Sequence, residues 1–210
     1  MRDYHVFIEQ QGEQIYVGKI TGSGSEDAVF SYAQEYLDNP SSCPISIHLP
    51  LQAQNFSAEE TRLFFEGLLP EGFTRKCVAG WIHADEYDYL TILAALGREC
   101  LGAIQIIEDD MDVPKAGYQK LTKEDVCRLA KEGASEAAEL VTKAHLSLTG
   151  ASGKVGLYYK IDTNEWYLPI GAAPSTHIVK QSHVRLDGIV TNEQLCLQTA
   201  KNLGIDVPDS

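Results

Sequence analysis

The chain has 210 residues, of which 44% are apolar and 22% charged, and its formal net charge is −13. That composition is ordinary for a globular protein large enough to bury a core, and the acidic balance makes free nucleic acid a poor partner for the surface as a whole. No apolar run approaches the ~18 residues needed to span a bilayer, and the polar start MRDYHVFIEQQGEQ lacks the apolar centre of a signal peptide, so the expected location is cytoplasmic.

The five cysteines, Cys43, Cys77, Cys100, Cys127 and Cys196, are scattered and form no CxxC pair. The six histidines show neither HxxxH nor HExxH spacing. Neither a disulfide framework nor a metal site is expected.

Along the chain, Tyr4 to Glu9 and Gln14 to Ile20 alternate apolar and polar around Gly12, which predicts a hairpin. Ala28 to Tyr32 is too short for periodicity to separate strand from helix. After the loop Pro40 to Pro44, the alternation of Ile45, Ile47 and Leu49 predicts a strand. Ser57 and Glu60 form a capping-box pattern for a helix with Leu63, Phe64, Leu68 and Leu69 on its inner face, ended by Pro70 and Gly72. Helices are predicted over Arg75 to His83 and Asp88 to Leu96, then a strand over Gly102 to Ile107. The acidic stretch Glu108-Asp109-Asp110, with Pro114 and Gly117, reads as a loop and a subdomain boundary. Thr122 to Asp125 opens a further helix, continuing in part toward Leu140.

From His145 the pattern changes. His145 to Leu148 reads as a strand, Thr149-Gly-Ala-Ser-Gly153 as a small-residue loop, and Lys154 to Ile161 as a second strand. Thr163-Asn164 turns the chain into Glu165 to Pro169, and Gly171 to Ser175 leads to the strand Thr176 to Lys180. The last helix takes Thr191 as N-cap and Gln194 at N3, runs to Leu203 with Gly204 beyond it, and turns Leu195, Cys196, Thr199, Ala200 and Leu203 inward.

The order is therefore strand, glycine loop, strand, strand, strand with lysine, helix with glutamate, as in the N-lobe of a protein kinase. A loop of Gly150, Ala151, Ser152 and Gly153 lets backbone N–H groups approach phosphates. Lys180 would neutralise phosphate charge, and Glu193 would orient that lysine. A Walker A loop is the rival reading of Gly150 to Lys154, but it requires Gly at 148 and Ser or Thr at 155, where Leu148 and Val155 stand, and a helix where the β-pattern follows. The glycine spacing is not GxGxxG either.

The segments LSLTGASGKVGLYY, WYLPIGAAPSTHIVK and NEQLCLQTAKNLGIDVPD resemble the HipA family of bacterial toxin kinases. IHLPLQ, FFEGLLPEG and LGREC followed by LGAIQII resemble that family's N-terminal subdomain. The resemblance implies an α+β fold, with residues 1–112 a HipA-like N-terminal subdomain and residues 113–210 a kinase-N-lobe-like antiparallel sheet with a helix.

It further implies that Thr149, Gly150, Ala151, Ser152, Gly153 and Lys154 form an ATP-binding loop and that Lys180 is the strand lysine. Ser147 then matches a serine that some members autophosphorylate. The family loop usually ends Gln-x-Lys, where this chain has Ser152-Gly153-Lys154.

No HRDxxxxN or DFG-like set occurs, so catalytic residues and Mg²⁺ ligands are expected on a C-lobe and none here. The whole kinase is then expected to bind ATP and phosphorylate a translation-linked protein, with a HipB-like DNA-binding antitoxin as partner, no direct nucleic-acid contact and no membrane contact. The 210-residue chain alone is expected to be inactive. The alternatives are a non-catalytic module that binds a separately encoded kinase core or antitoxin, and a remnant without function.

Overall fold

The computed structural model describes residues 2–10, 13–96, 104–108, 116–132, 154–170, 173–180 and 188–210. Within them the fold is α+β, with two four-stranded antiparallel sheets.

The first sheet has the order β3-β2-β1-β4, built from β1 (Arg2–Gln10), β2 (Glu13–Gly22), β3 (Val29–Tyr32) and β4 (Ile104–Glu108). The predicted hairpin is β1–β2, paired from Arg2↔Gly22 to Gln10↔Glu13. Its register shifts between Val6 and Phe7, opposite Gly18 and Tyr16. Gly18 is required where β3 approaches, because a Cβ there would stand 2.1 Å from the Ser31 carbonyl oxygen. Within Ala28 to Tyr32, Val29–Tyr32 forms strand β3, preceded by a turn in which the Asp27 carboxylate accepts from the Ser23 and Gly24 amides.

Helices α1 (Gln34–Asp38), α2 (Ala58–Glu66), α3 (Gly72–Trp81) and α4 (Tyr89–Leu96) accompany this sheet. The capping box forms as expected: the Ser57 amide donates to Glu60 Oε2 at 2.9 Å and the Glu60 amide to Ser57 Oγ at 3.2 Å. Phe30 is the centre of the core, with ring centroids 4.9 Å from Tyr32, 5.8 Å from Phe56 and 5.4 Å from Phe65. α4 is buried nearly all round, through Tyr89, Leu90, Ile92, Leu93, Ala94 and Leu96.

Three expectations fail here. Ile45 to Leu49 is not a strand: a single bridge joins Ser46 to Leu49, and Ile47 is 86% exposed. Tyr32 replaces the missing ladder, since its hydroxyl donates to the Leu49 carbonyl at 2.6 Å and accepts from the Ile45 amide. Leu63 is 73% exposed while Phe65 is fully buried, so the inner face of α2 is turned from the predicted one. Gly72 does not end α2, which stops at Glu66 with Gly67 as cap; Gly72 opens α3 with a φ of +56°.

The second sheet has the order β5-β7-β6-β8, from β5 (Gly117–Lys120), β6 (Lys154–Lys160), β7 (Glu165–Ile170) and β8 (His177–Lys180). Helix α5 (Lys123–Glu132) opens with the expected box, the Asp125 amide donating to Thr122 Oγ1 and the Thr122 amide to Asp125 Oδ2. Val155, Leu157, Leu168, Leu121 and Leu129 are buried. α6 (Ile189–Asn202) follows β8. No helix among the described residues is long and apolar enough to cross a membrane.

Candidate functional site

β5 was not expected. Gly117 reads as loop in the sequence, yet Gly117 to Lys120 pairs with β7, from Gly117↔Ile170 to Lys120↔Tyr167. Its four residues are mostly exposed and carry no apolar alternation, so only the partner strand defines it.

β6 is the centre of the site. It pairs with β7 through Tyr158↔Tyr167 and with β8 through Lys154↔Lys180, Val155↔Val179, Gly156↔Ile178 and Leu157↔His177. Side chains alternate across a strand. One face therefore carries Val155, Leu157 and Leu168 into the core, and the other carries Lys154 and Lys180 side by side. Two lysines directly opposite each other repel unless something negative lies between or beside them.

The approach to β8 is held by Thr176. Its amide donates to the Leu157 carbonyl at 3.0 Å, and its hydroxyl accepts from the Tyr159 amide at 2.9 Å. Tyr118 from β5 donates its hydroxyl to the Pro174 carbonyl at 3.0 Å. These bonds fix the strand from which Lys180 projects.

α6 supplies the counter-charge. Glu193, in the first half of the helix, accepts a hydrogen bond from the Lys180 ammonium. The side chains of the pair are 40% and 41% exposed. Lys154 has no ion-pair partner among the described residues. The arrangement is thus one lysine held by a glutamate and a second lysine beside it, two cationic groups placed to meet an anion.

The helix itself differs from expectation. It starts at Ile189 with Gly188 as N-cap at φ +78°, not with Thr191, because the Gly188 carbonyl already accepts from the Asn192 amide at 2.8 Å. Gly204 ends it with φ +79°, as expected. The predicted inward face is exposed: no residue of α6 is buried, and Leu195 and Leu203 are 63% and 75% exposed. No described element covers the helix on that side, so its apolar periodicity faces solvent.

Of the predicted site residues, the structure brings together Lys154, Lys180 and Glu193. Thr149, Gly150, Ala151, Ser152, Gly153 and Ser147 lie outside the described residues. Among the described residues no group of three or more His, Cys, Asp or Glu is placed to hold a metal ion.

Near the opposite end of β7, Glu165 accepts from the Lys120 ammonium, from Tyr167 Oη at 2.8 Å and from Thr163 Oγ1 at 2.8 Å. These donors, Lys120 first, hold its carboxyl down at about 2 and raise the Tyr167 phenol. All three of these donors come from the same sheet or the β6–β7 turn, so the cluster ties β5 to β7.

A strand lysine paired to a helix glutamate on an antiparallel sheet is the arrangement of the small lobe of a protein kinase. Comparison with known proteins gives the family. Residues 10–107 match the HipA N-terminal domain, and residues 146–210 match the HipA-like C-terminal domain. This chain belongs to the HipA family. It is 32% identical over 200 residues to the protein Y4mE of Sinorhizobium fredii, which carries a kinase assignment by name, covering 91% of this chain and 47% of that protein. It is 30% identical over 112 residues to an uncharacterized protein of Haemophilus influenzae, covering 52% of this chain and 98% of that one.

Among solved structures, HipA of Shewanella oneidensis MR-1, in complex with HipB and operator DNA, superposes with a TM-score of 0.72 at 20% identity. That match covers 100% of this chain and 46% of the other. The chain thus spans about half the length of Y4mE and of that HipA.

Proposed function

We propose that this chain is the nucleotide-binding part of a HipA-like serine/threonine kinase toxin, which in its whole form binds ATP and phosphorylates a translation-linked protein. The observation that carries the reading is the Lys180–Glu193 pair with Lys154 in register beside it. Both lysines would meet the phosphates of ATP. Glu193 would aim Lys180, and the small-residue segment preceding Lys154 would supply backbone donors. Mg²⁺ would come with carboxylates elsewhere in the whole kinase.

Titration of Mg-ATP into the chain, followed by NMR shifts of β6 and β8 amides, tests the reading. Weak saturable binding that Lys180→Ala and Lys154→Ala each reduce supports it. Binding unchanged by both substitutions overturns it.

A HipB-like DNA-binding antitoxin is the partner this reading proposes, since the HipA that shares the fold is seen with HipB and operator DNA. With a net charge of −13, the chain would leave DNA contact to that antitoxin.

A second reading, a non-catalytic module that binds a kinase core on another polypeptide, is favoured by one observation. Leu195 and Leu203 on α6, and Ile205 just beyond it, leave an apolar helix face in solvent where an amphipathic helix ordinarily meets a neighbour.

A further inference from the structure

The face of the second sheet that carries the two lysines also carries three tyrosines. On β6, Lys154, Gly156 and Tyr158 alternate onto it; Ile178 and Lys180 join from β8, Tyr118 from β5 and Tyr167 from β7. The Tyr158 ring lies 4.5 Å from Tyr118 and 6.2 Å from Tyr167. The two outer rings are anchored by their hydroxyls, Tyr118 on the Pro174 carbonyl and Tyr167 on Glu165 Oε2. Among the described residues, the Tyr158 side chain is held by ring packing and makes no hydrogen bond.

Four residues of extended strand separate Lys154 from Tyr158 by about 13 Å. That is the order of separation between the phosphates and the base of an extended nucleotide. Gly156 stands between them, without a side chain and itself buried in the sheet. Its cross-strand neighbour Ile178 is 59% exposed, an apolar surface at the middle of the path. The opposite face offers no such track. There Tyr159, Trp166 and His177 pack on one another, with centroids 4.6 to 5.6 Å apart, beside Leu157 and away from both lysines.

We propose that Tyr158, buttressed by Tyr118 and Tyr167, is the base-stacking residue of the nucleotide site, with the phosphates on Lys154 and Lys180 and the sugar over Ile178. The inference rests on the nucleotide reading above and adds to it the position of the base. Stacking on an aromatic ring does not need a particular base, because every base presents a π-face.

The alternative is a cross-strand aromatic ladder that only stabilises the sheet. Binding separates the two. Mg-ATP and inorganic tripolyphosphate are titrated by NMR into the wild-type chain and into Tyr158→Leu and Tyr158→Phe, with thermal melting of each variant as a folding check. The wild type should bind ATP more tightly than tripolyphosphate. Tyr158→Leu should weaken ATP at least ~5-fold, the effect of losing one stacked ring, and leave tripolyphosphate unchanged, while Tyr158→Phe keeps both.

Equal weakening of both ligands by Tyr158→Leu, or no weakening of either, overturns the inference. A wild type that prefers tripolyphosphate also overturns it and leaves the phosphate role of the lysines standing. A wild type that binds neither overturns the nucleotide reading and this inference together. Should Tyr158→Leu fail to melt cooperatively, ATP-dependent quenching of tyrosine fluorescence in the wild type, compared with Tyr158→Phe, decides: quenching of equal size in the wild type by ATP and by tripolyphosphate overturns the stacked base.

Discussion

The ammonium of Lys180 donates to a carboxylate oxygen of Glu193, thirteen positions further along the chain, and so ties β8 to α6. Both side chains are about two-fifths exposed, and exposed pairs of this kind contribute only about 0–1 kcal/mol to stability. Under the proposed kinase reading the pair serves to position the lysine rather than to stabilise the fold. Glu193→Gln should change the unfolding free energy by less than ~1 kcal/mol. If the longer protein is the kinase proposed above, the same substitution should lower its phosphotransfer far more than its stability, because the lysine loses its aim. Denaturant unfolding of the chain, alongside kinase assays of the assembled protein, checks both halves. A large stability loss with unchanged phosphotransfer would reverse the assignment.

The chain by itself should transfer no phosphate. It contains no HRDxxxxN or DFG-like set, the groups that orient the attacking hydroxyl and hold Mg²⁺ in protein kinases. Incubation of the purified chain with radiolabelled ATP and a protein acceptor should label nothing. Labelling that disappears in Lys180→Ala would show that the chain supplies a catalytic group of its own.

In the first core, the Phe30 amide donates to Thr61 Oγ1 at 2.9 Å, and Thr61 is fully buried. This bond joins the edge strand β3 to α2 under the Phe30 aromatic cluster. Thr61→Val keeps the shape and removes the acceptor, leaving a buried N–H without a partner. The expected cost is about 1–3 kcal/mol, read as a lowered midpoint in urea with an unchanged slope. A neutral result would mean that water reaches the Phe30 amide.

Much of this architecture could be read from the residues, and the exceptions have physical causes. The hairpin, the capping box at Ser57, the buried helix over 89–96 and the strands β6, β7 and β8 follow local rules of alternation and capping. The Lys180–Glu193 pair followed from element order alone, because the sheet and helix that carry it are consecutive. Ile45 to Leu49 has a strand's alternation but no partner strand, and the Tyr32 hydroxyl takes up its backbone groups instead. β5 has the partner and no alternation. The tyrosine trio could not be found in sequence, since Tyr118 and Tyr158 are 40 positions apart and meet only through β7. The face of α6 has clear helical periodicity, but periodicity shows that a face is apolar and not what covers it.

Glu165 should titrate near 2. Its carboxylate accepts from Lys120, Tyr167 and Thr163, all of which favour the charged form. A depressed folded-state value means that its contribution to stability is present above the ordinary carboxylate range and is lost as pH falls toward about 2. The group is exposed, so the stability change will be small, but the titration itself is direct. NMR of the side-chain carboxyl should show Lys120→Met moving the midpoint upward, with a smaller upward shift for Tyr167→Phe. A midpoint in the ordinary range for the wild-type chain would mean that the Lys120 contact does not persist in solution.

The exposed face of α6 gives the prediction that separates a kinase half from a self-sufficient domain. Leu195 and Leu203 are 63% and 75% exposed, and Ile205 just beyond the helix is 57% exposed. Glutamate is as good a helix former as leucine, and substitution of an exposed side chain usually shifts stability by no more than ~0.5 kcal/mol. Leu195→Glu should therefore leave the melting of the chain unchanged. Y4mE continues well beyond the region matched here, since the match covers 47% of it. If the corresponding polypeptide packs on α6, each leucine buried there contributes about 1.5–3 kcal/mol, so one charge should weaken association by at least ~10-fold. Co-expression of this chain with a polypeptide equivalent to the remaining part of Y4mE, followed by co-purification, measures that loss. Association retained in Leu195→Glu and in Leu203→Glu would place the contact on another face, while a drop in the chain's own melting temperature would mean that the face is already covered within this molecule.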